Sequence, residues 1–178
     1  MIRTLLTTAL FATTVAGTAH AASAADVWHV QIDQERAGLR LTCRSKQLTV
    51  DFTEQQAWTL GHIVYRDKEL VGQHGANGSV LNARPRPGDE VQDPWIGTGH
   101  GREEIRELQL VIDGRPREIE AGAAYAGRAV LLRKQSGLGP LDHEAEIALS
   151  PEGNRLTERH AYRVVEPLDE RFNFVYAY

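Results

Sequence analysis

Short runs of alternating apolar and polar residues, closed off by turn-forming residues, are the feature that most limits what this chain can fold into. From Asp26 to Ile32, Trp28, Val30 and Ile32 share one face. Leu39 to Arg44 and Gln47 to Phe52 alternate likewise and pair across Ser45-Lys46. Leu60 to Tyr65, Glu69 to Val71 and Ser79 to Ala83 are further strands, separated by Arg66-Asp67-Lys68 and Gly75-Ala76-Asn77-Gly78, both rich in turn formers. Asp113-Gly114, a tight-hairpin dipeptide, joins Leu108 to Asp113 with Arg117 to Glu120. Ala126 to Arg133 reads as a central strand, and a hairpin of His143 to Leu149 with Leu156 to Val165 follows. Only Glu103 to Ile112 competes as a helix, through Ile105, Leu108 and Ile112, and the run Leu108, Leu110, Ile112 before a turn favours a strand. The expected fold is all-β, an antiparallel β-sandwich.

Arg3, the apolar run from Leu5 to Gly17 and the small residues through Ala19-His20-Ala21 read as a secretory signal peptide, residues 1–24, with cleavage after Ala21 or Ala24. About 13 apolar residues fall short of the roughly 20 that a spanning helix needs, so no transmembrane segment is expected after cleavage. Residues 25–178 then form a single domain, periplasmic or secreted. Cys43 is the sole cysteine and reads as a small buried hydrophobe. Without Arg3 the chain holds 19 Lys and Arg against 24 Asp and Glu, which disfavours nucleic acid as a partner. The final strand, Phe172 to Tyr178, is apolar on both faces, as interior strands are. It is either docked in the core or the cut edge of a larger domain, in which case it offers a strand for pairing with a partner.

The segment Gln73 to Arg102 concentrates His74, His100, Trp95, glycines and prolines, and leads into Glu103 and Glu104. Long irregular segments in compact domains are usually functional or disordered. His100, between Gly99 and Gly101, suits proton transfer, with a loop-fixing histidine as the bland alternative. Glu103 is the companion acid or base; Arg102 could hold a uronate carboxylate in a bidentate manner; Trp95 could stack on a pyranose ring. His74 sits at the other end of the same segment. Glu158, His160 and Tyr162 share one face of a strand, which is either solvated or the polar wall of a ligand groove. The G-x-G-x-G of Gly97 to Gly101 departs from the dinucleotide fingerprint, Ser79, Ser136 and Ser150 lack a hydrolase elbow, and no recognised metal spacing occurs. No cofactor and no metal are expected.

The succession Leu41-Thr42-Cys43, Val50-Asp51-Phe52, Ile63-Val64-Tyr65-Arg66-Asp67-Lys68-Glu69-Leu70 and Gly78-Ser79-Val80-Leu81-Asn82 resembles the opening of galactose-mutarotase-like β-supersandwich domains, over residues 39–178. The resemblance implies an incomplete supersandwich and a sugar ligand. The epimerases' histidine and glutamate segments are not recognisable, so it transfers no role to a numbered residue. The expectation is a carbohydrate-processing lyase, hydrolase or epimerase acting on a glycan or uronic-acid sugar, with His100 and Glu103 catalytic and Trp95, Arg102, His74, His160 and Tyr162 binding substrate. A non-catalytic carbohydrate-binding or assembly domain is the alternative.

Overall fold

The computed structural model describes residues 11–14, 27–72, 79–83, 95–98, 103–150, 155–168 and 172–177. Its first sheet contains β1 (Phe11–Thr14), β9 (Glu103–Ile112), β10 (Arg115–Arg117), β12 (Val130–Leu138), β13 (Leu141–Ser150) and β14 (Arg155–Val164), in the order β1-β14-β13-β12-β9-β10. The second contains β2 (Trp28–Glu35), β3 (Gly38–Arg44), β4 (Leu48–Thr53), β5 (Leu60–Tyr65), β6 (Lys68–Val71) and β11 (Ala124–Gly127), in the order β11-β2-β3-β4-β5-β6. A third orders β15 (Phe172–Ala177), β7 (Ser79–Ala83) and β8 (Trp95–Gly97) as β15-β7-β8. The strand pairings among the described residues are all antiparallel. The two six-stranded sheets pack face to face, giving the expected all-β sandwich.

Alternation explains the packing. Trp28, Val30, Ile32, Leu41, Cys43, Val50 and Phe52 of the second sheet meet Leu110, Ile112, Val130, Leu132, Ile147 and Leu149 of the first in one buried cluster. Removing these side chains from water is the main favourable term in folding. Burial and the nearby charge of Asp51 push the Cys43 thiol far up, in keeping with a packed hydrophobe.

Turn chemistry acts as the sequence indicates. Asp113 and Gly114 have φ of 49° and 75°, and Ile112 pairs with Arg115, as in a two-residue primed turn. Asp113 Oδ1 also accepts the backbone N–H groups of Arg128 and Ala129, each at 2.9 Å, where the chain crosses between sheets. Arg66 and Asp67, at φ 47° and 63°, close the β5–β6 hairpin in the same manner.

Two expectations are corrected. Ala126 to Arg133 is not one strand: β11 pairs with β2 in the second sheet, and β12 starts at Val130 in the first. The piece around Trp95, read as irregular loop, is β8, paired with β7. The terminal strand stands at the end of the third sheet's order beside β7, among the described strands. Phe11–Thr14 lies in the segment read as a leader and pairs with Thr157 to His160 of β14.

Candidate functional site

The inner face of the first sheet is apolar at one end and polar at the other. Along β12 the inward positions run Val130, Leu132, Lys134, Ser136 and Leu138, all buried. Lys134 pairs with Ala145 and Leu108, and Ser136 with His143 and Ile105. On β14, His143 faces Tyr162, and Ala145 faces His160. Lys134, Ser136, His143, Glu158 and His160 are therefore buried polar groups inside a β-sandwich, an arrangement that is costly unless each finds partners.

A β-bulge positions the carboxylate at the centre. On β9, Glu107 pairs with Gln135 and Ile105 with Ser136, so Arg106 is an extra residue. Glu107 and Arg106 both face outward, and alternation resumes with Ile105 and Glu103 turned inward. Strict alternation from Leu108 would have sent Glu104 inside instead. The Arg106 guanidinium crosses Gly137, where a Cβ would meet Nη2 at 2.7 Å, and pairs with Asp142, which also pairs with Arg163.

Glu103 Oε1 gathers three donors or partners: the Ser136 hydroxyl at 2.6 Å, the Lys134 ammonium at 2.9 Å and His143 Nδ1 at 3.1 Å. Its other oxygen, Oε2, is buried with no hydrogen-bond partner among the described residues. Burial pushes this carboxyl up, but the His143 hydrogen bond, the charge and hydrogen bond of Lys134 and the Ser136 hydroxyl outweigh it and hold the group at about 2. Lys134 also donates to the Ala57 carbonyl at 2.8 Å and to Thr59 Oγ1 at 3.3 Å, across the sandwich. Ala57 and Trp58 there have φ of 51° and 58°, two consecutive non-glycine residues in the left-handed region. Burial lowers the Lys134 ammonium's pKa, against the raising pull of Glu103.

The network continues outward in sequence from β13 to β14. His143 Nδ1 is 3.0 Å from Ser136 Oγ, and His143 Nε2 is 3.0 Å from His160 Nδ1. His160 Nε2 lies 3.8 Å from Glu158 Oε1. Tyr162 stacks on His143 at 4.7 Å between ring centroids, 11° from parallel, and packs against Ile96, Leu138 and Leu141. Burial lowers the pKa of His143, the Glu103 hydrogen bond opposing it, so the ring is neutral near pH 7. Carboxylate, imidazole and imidazole thus form a continuous path for protons.

Of the residues singled out in the sequence, Glu103, His160 and Tyr162 converge on this cluster. The face of Glu158, His160 and Tyr162 is not solvated: Glu158 and His160 are buried between the sheets. His74, His100 and Arg102 lie outside the described residues. Trp95 opens β8 opposite Asn82. Trp28 and Trp58 belong to the core. Lys134 and His143 had no assigned role. Their signal was a polar residue at a core-facing position of an otherwise apolar strand, legible once Leu132 and Leu138 fix the inward face. Among the described residues no group of His, Cys, Asp and Glu could hold a metal, and no helix is long and apolar enough to cross a membrane.

A search against protein-family models, curated proteins and solved structures finds no match to this chain.

Proposed function

We propose that this is an exported carbohydrate-processing protein that acts on a glycan or uronic-acid sugar by acid–base chemistry at the inner face of the first sheet. The observation that carries the reading is the Glu103 carboxylate, ionised in a buried site, with Oε1 held by three groups and Oε2 without a partner among the described residues. Such oriented charge is what a site needs to accept a substrate hydroxyl or to stabilise charge that develops during reaction. With its carboxyl held at about 2, Glu103 serves as a standing anion, not as a proton donor. His160, hydrogen-bonded to His143, is the proton-exchanging group, and Tyr162 orders the rings by stacking. In the reaction His160 removes a proton from a C–H or O–H of the sugar, and the electron pair stays on the substrate. His100 and Arg102 stand three residues and one residue before Glu103 in the chain. In this reading Arg102 binds a uronate carboxylate, His100 assists proton transfer, and Trp95 and His74 contact the ring.

A non-catalytic carbohydrate-binding or assembly domain is favoured by one feature, the closure of the cluster: the Glu103 and His143 side chains have no exposed surface. The test is turnover and binding of the purified exported protein on a panel of neutral and uronic-acid glycans, read by ultraviolet absorbance for elimination and by new reducing ends for hydrolysis. Processing is expected, with His160→Ala reducing it on the order of 100- to 10,000-fold while glycan affinity is retained. Binding without turnover in the folded wild-type protein would replace the enzyme with the binding module, and neither would remove the sugar reading.

A further inference from the structure

The hydrogen-bond chain from Glu103 to His160 has a direction, and one residue sets it. An ionised carboxylate has no proton to give, so every group close to Glu103 Oε1 must donate. Ser136 and Lys134 do so at 2.6 and 2.9 Å, and His143 Nδ1, at 3.1 Å, must therefore carry its proton on that nitrogen. A neutral His143 then has only a lone pair on Nε2. The 3.0 Å contact to His160 Nδ1 requires the proton to sit on His160. The His160 nitrogen turned away from His143 is Nε2, on the side of Glu158. The direction rests on Glu103 being charged, and among the described residues the buried lysine or arginine paired with it is Lys134, whose side chain is 2% exposed. Its other two contacts, Ala57 O and Thr59 Oγ1, belong to the turn that joins β4 to β5 of the facing sheet and hold the ammonium in place.

We propose that Lys134 is the positioning residue of this site: anchored on the Ala57–Thr59 turn, it keeps Glu103 ionised and so imposes Nδ1–H on both His143 and His160, leaving His160 Nε2 as the proton-exchanging atom. Charged and titratable groups facing the pair among the described residues are Glu103 from β9, Lys134 from β12, and Glu158 and Tyr162 from β14. Without Lys134, burial favours the neutral acid of Glu103. Its carboxylic proton is then donated to a lone pair on His143 Nδ1, His143 Nε2 carries the hydrogen, and His160 Nδ1 becomes the acceptor. The part Lys134 plays in turnover rests on the sugar chemistry proposed above, whereas the tautomers it imposes do not.

Nitrogen-15 and carbon-13 NMR of the histidine rings in the full-length protein near pH 7 tests this directly. In the wild type, His143 is expected to show a protonated Nδ1 and an unprotonated Nε2, and His160 a protonated Nδ1. The opposite pattern on His143, or fast averaging between the two, would overturn the proposal without any variant being made. In Lys134→Met, which keeps the length of the side chain and removes its charge, the two nitrogens of His143 are expected to exchange roles. An unchanged His143 pattern in folded Lys134→Met would remove Lys134 from the mechanism. The wild-type tautomers, found in a protein that turns over no glycan, would leave this arrangement standing and overturn the catalytic reading alone.

Discussion

Glu103 shows how much one buried carboxylate can control. Its folded-state pKa, about 2, lies below the ordinary 4.5, so it contributes stability that is fully present above pH 4.5 and is lost as the pH falls toward 2. The lowered pKa of His143 acts in the same direction, because the unfolded chain takes up a proton below its ordinary 6.5 before the buried ring does. Acid should thus weaken the fold in two stages, first below about pH 6.5 and then below about 4.5. In Glu103→Gln the second stage is expected to flatten while the first persists, measured by urea midpoints from pH 7 down to pH 3. An unaltered second stage would show that Glu103 is not held ionised. The sequence marked Glu103, His160 and Tyr162 because such side chains in such company are suited to chemistry. It gave no comparable reason to select Lys134, since a lysine's value here comes from a carboxylate 31 positions away in the chain and a carbonyl 77 positions away.

At the level of the element, the bulge in β9 decides which glutamate faces inward. Arg106 is the extra residue, so deleting it leaves Ile105 and Glu103 on the inner face and loses only the Asp142 contact. Deleting Glu104 instead shifts Glu103 to the outer face and strands the Lys134 ammonium. Removing one partner of a buried ion pair costs about 3–5 kcal/mol, so the Glu104 deletion is expected to be destabilised by about that much, and the Arg106 deletion by far less. Chemical denaturation of the two proteins decides it, and equal stabilities would show that the bulge does not set the facing. Most strand identities and the positions of both primed turns were legible, since alternation and dipeptides such as Asp113-Gly114 are local signals. The bulge was not, because an extra residue is defined only against the partner strand, here Gln135 and Ser136 of β12.

For the whole molecule, the segment read as a leader and the fold meet at one edge. Phe11–Thr14 pairs with β14, whose inward side chains include Glu158 and His160. Signal cleavage after Ala21 or Ala24 would therefore uncover that edge beside the buried cluster. Mass spectrometry of the protein recovered outside the cytoplasm is expected to show a chain starting at Ala22 or Ala25; recovery of the chain still carrying residues 1–21 would exclude cleavage at either site. The amino-acid sequence by itself determined the all-β class, most strand positions, the hairpin turns and the burial of Trp28 and Cys43, because these depend on alternation and turn preference within a few residues. Only the tertiary structure decided that Ala124–Gly127 joins the opposite sheet from Val130–Leu138, that the Glu158 and His160 face looks inward, and that Glu103, Lys134, Ser136 and His143 meet. Those outcomes depend on register between strands and on which sheet covers which face, and both are fixed by contacts between residues far apart in the chain.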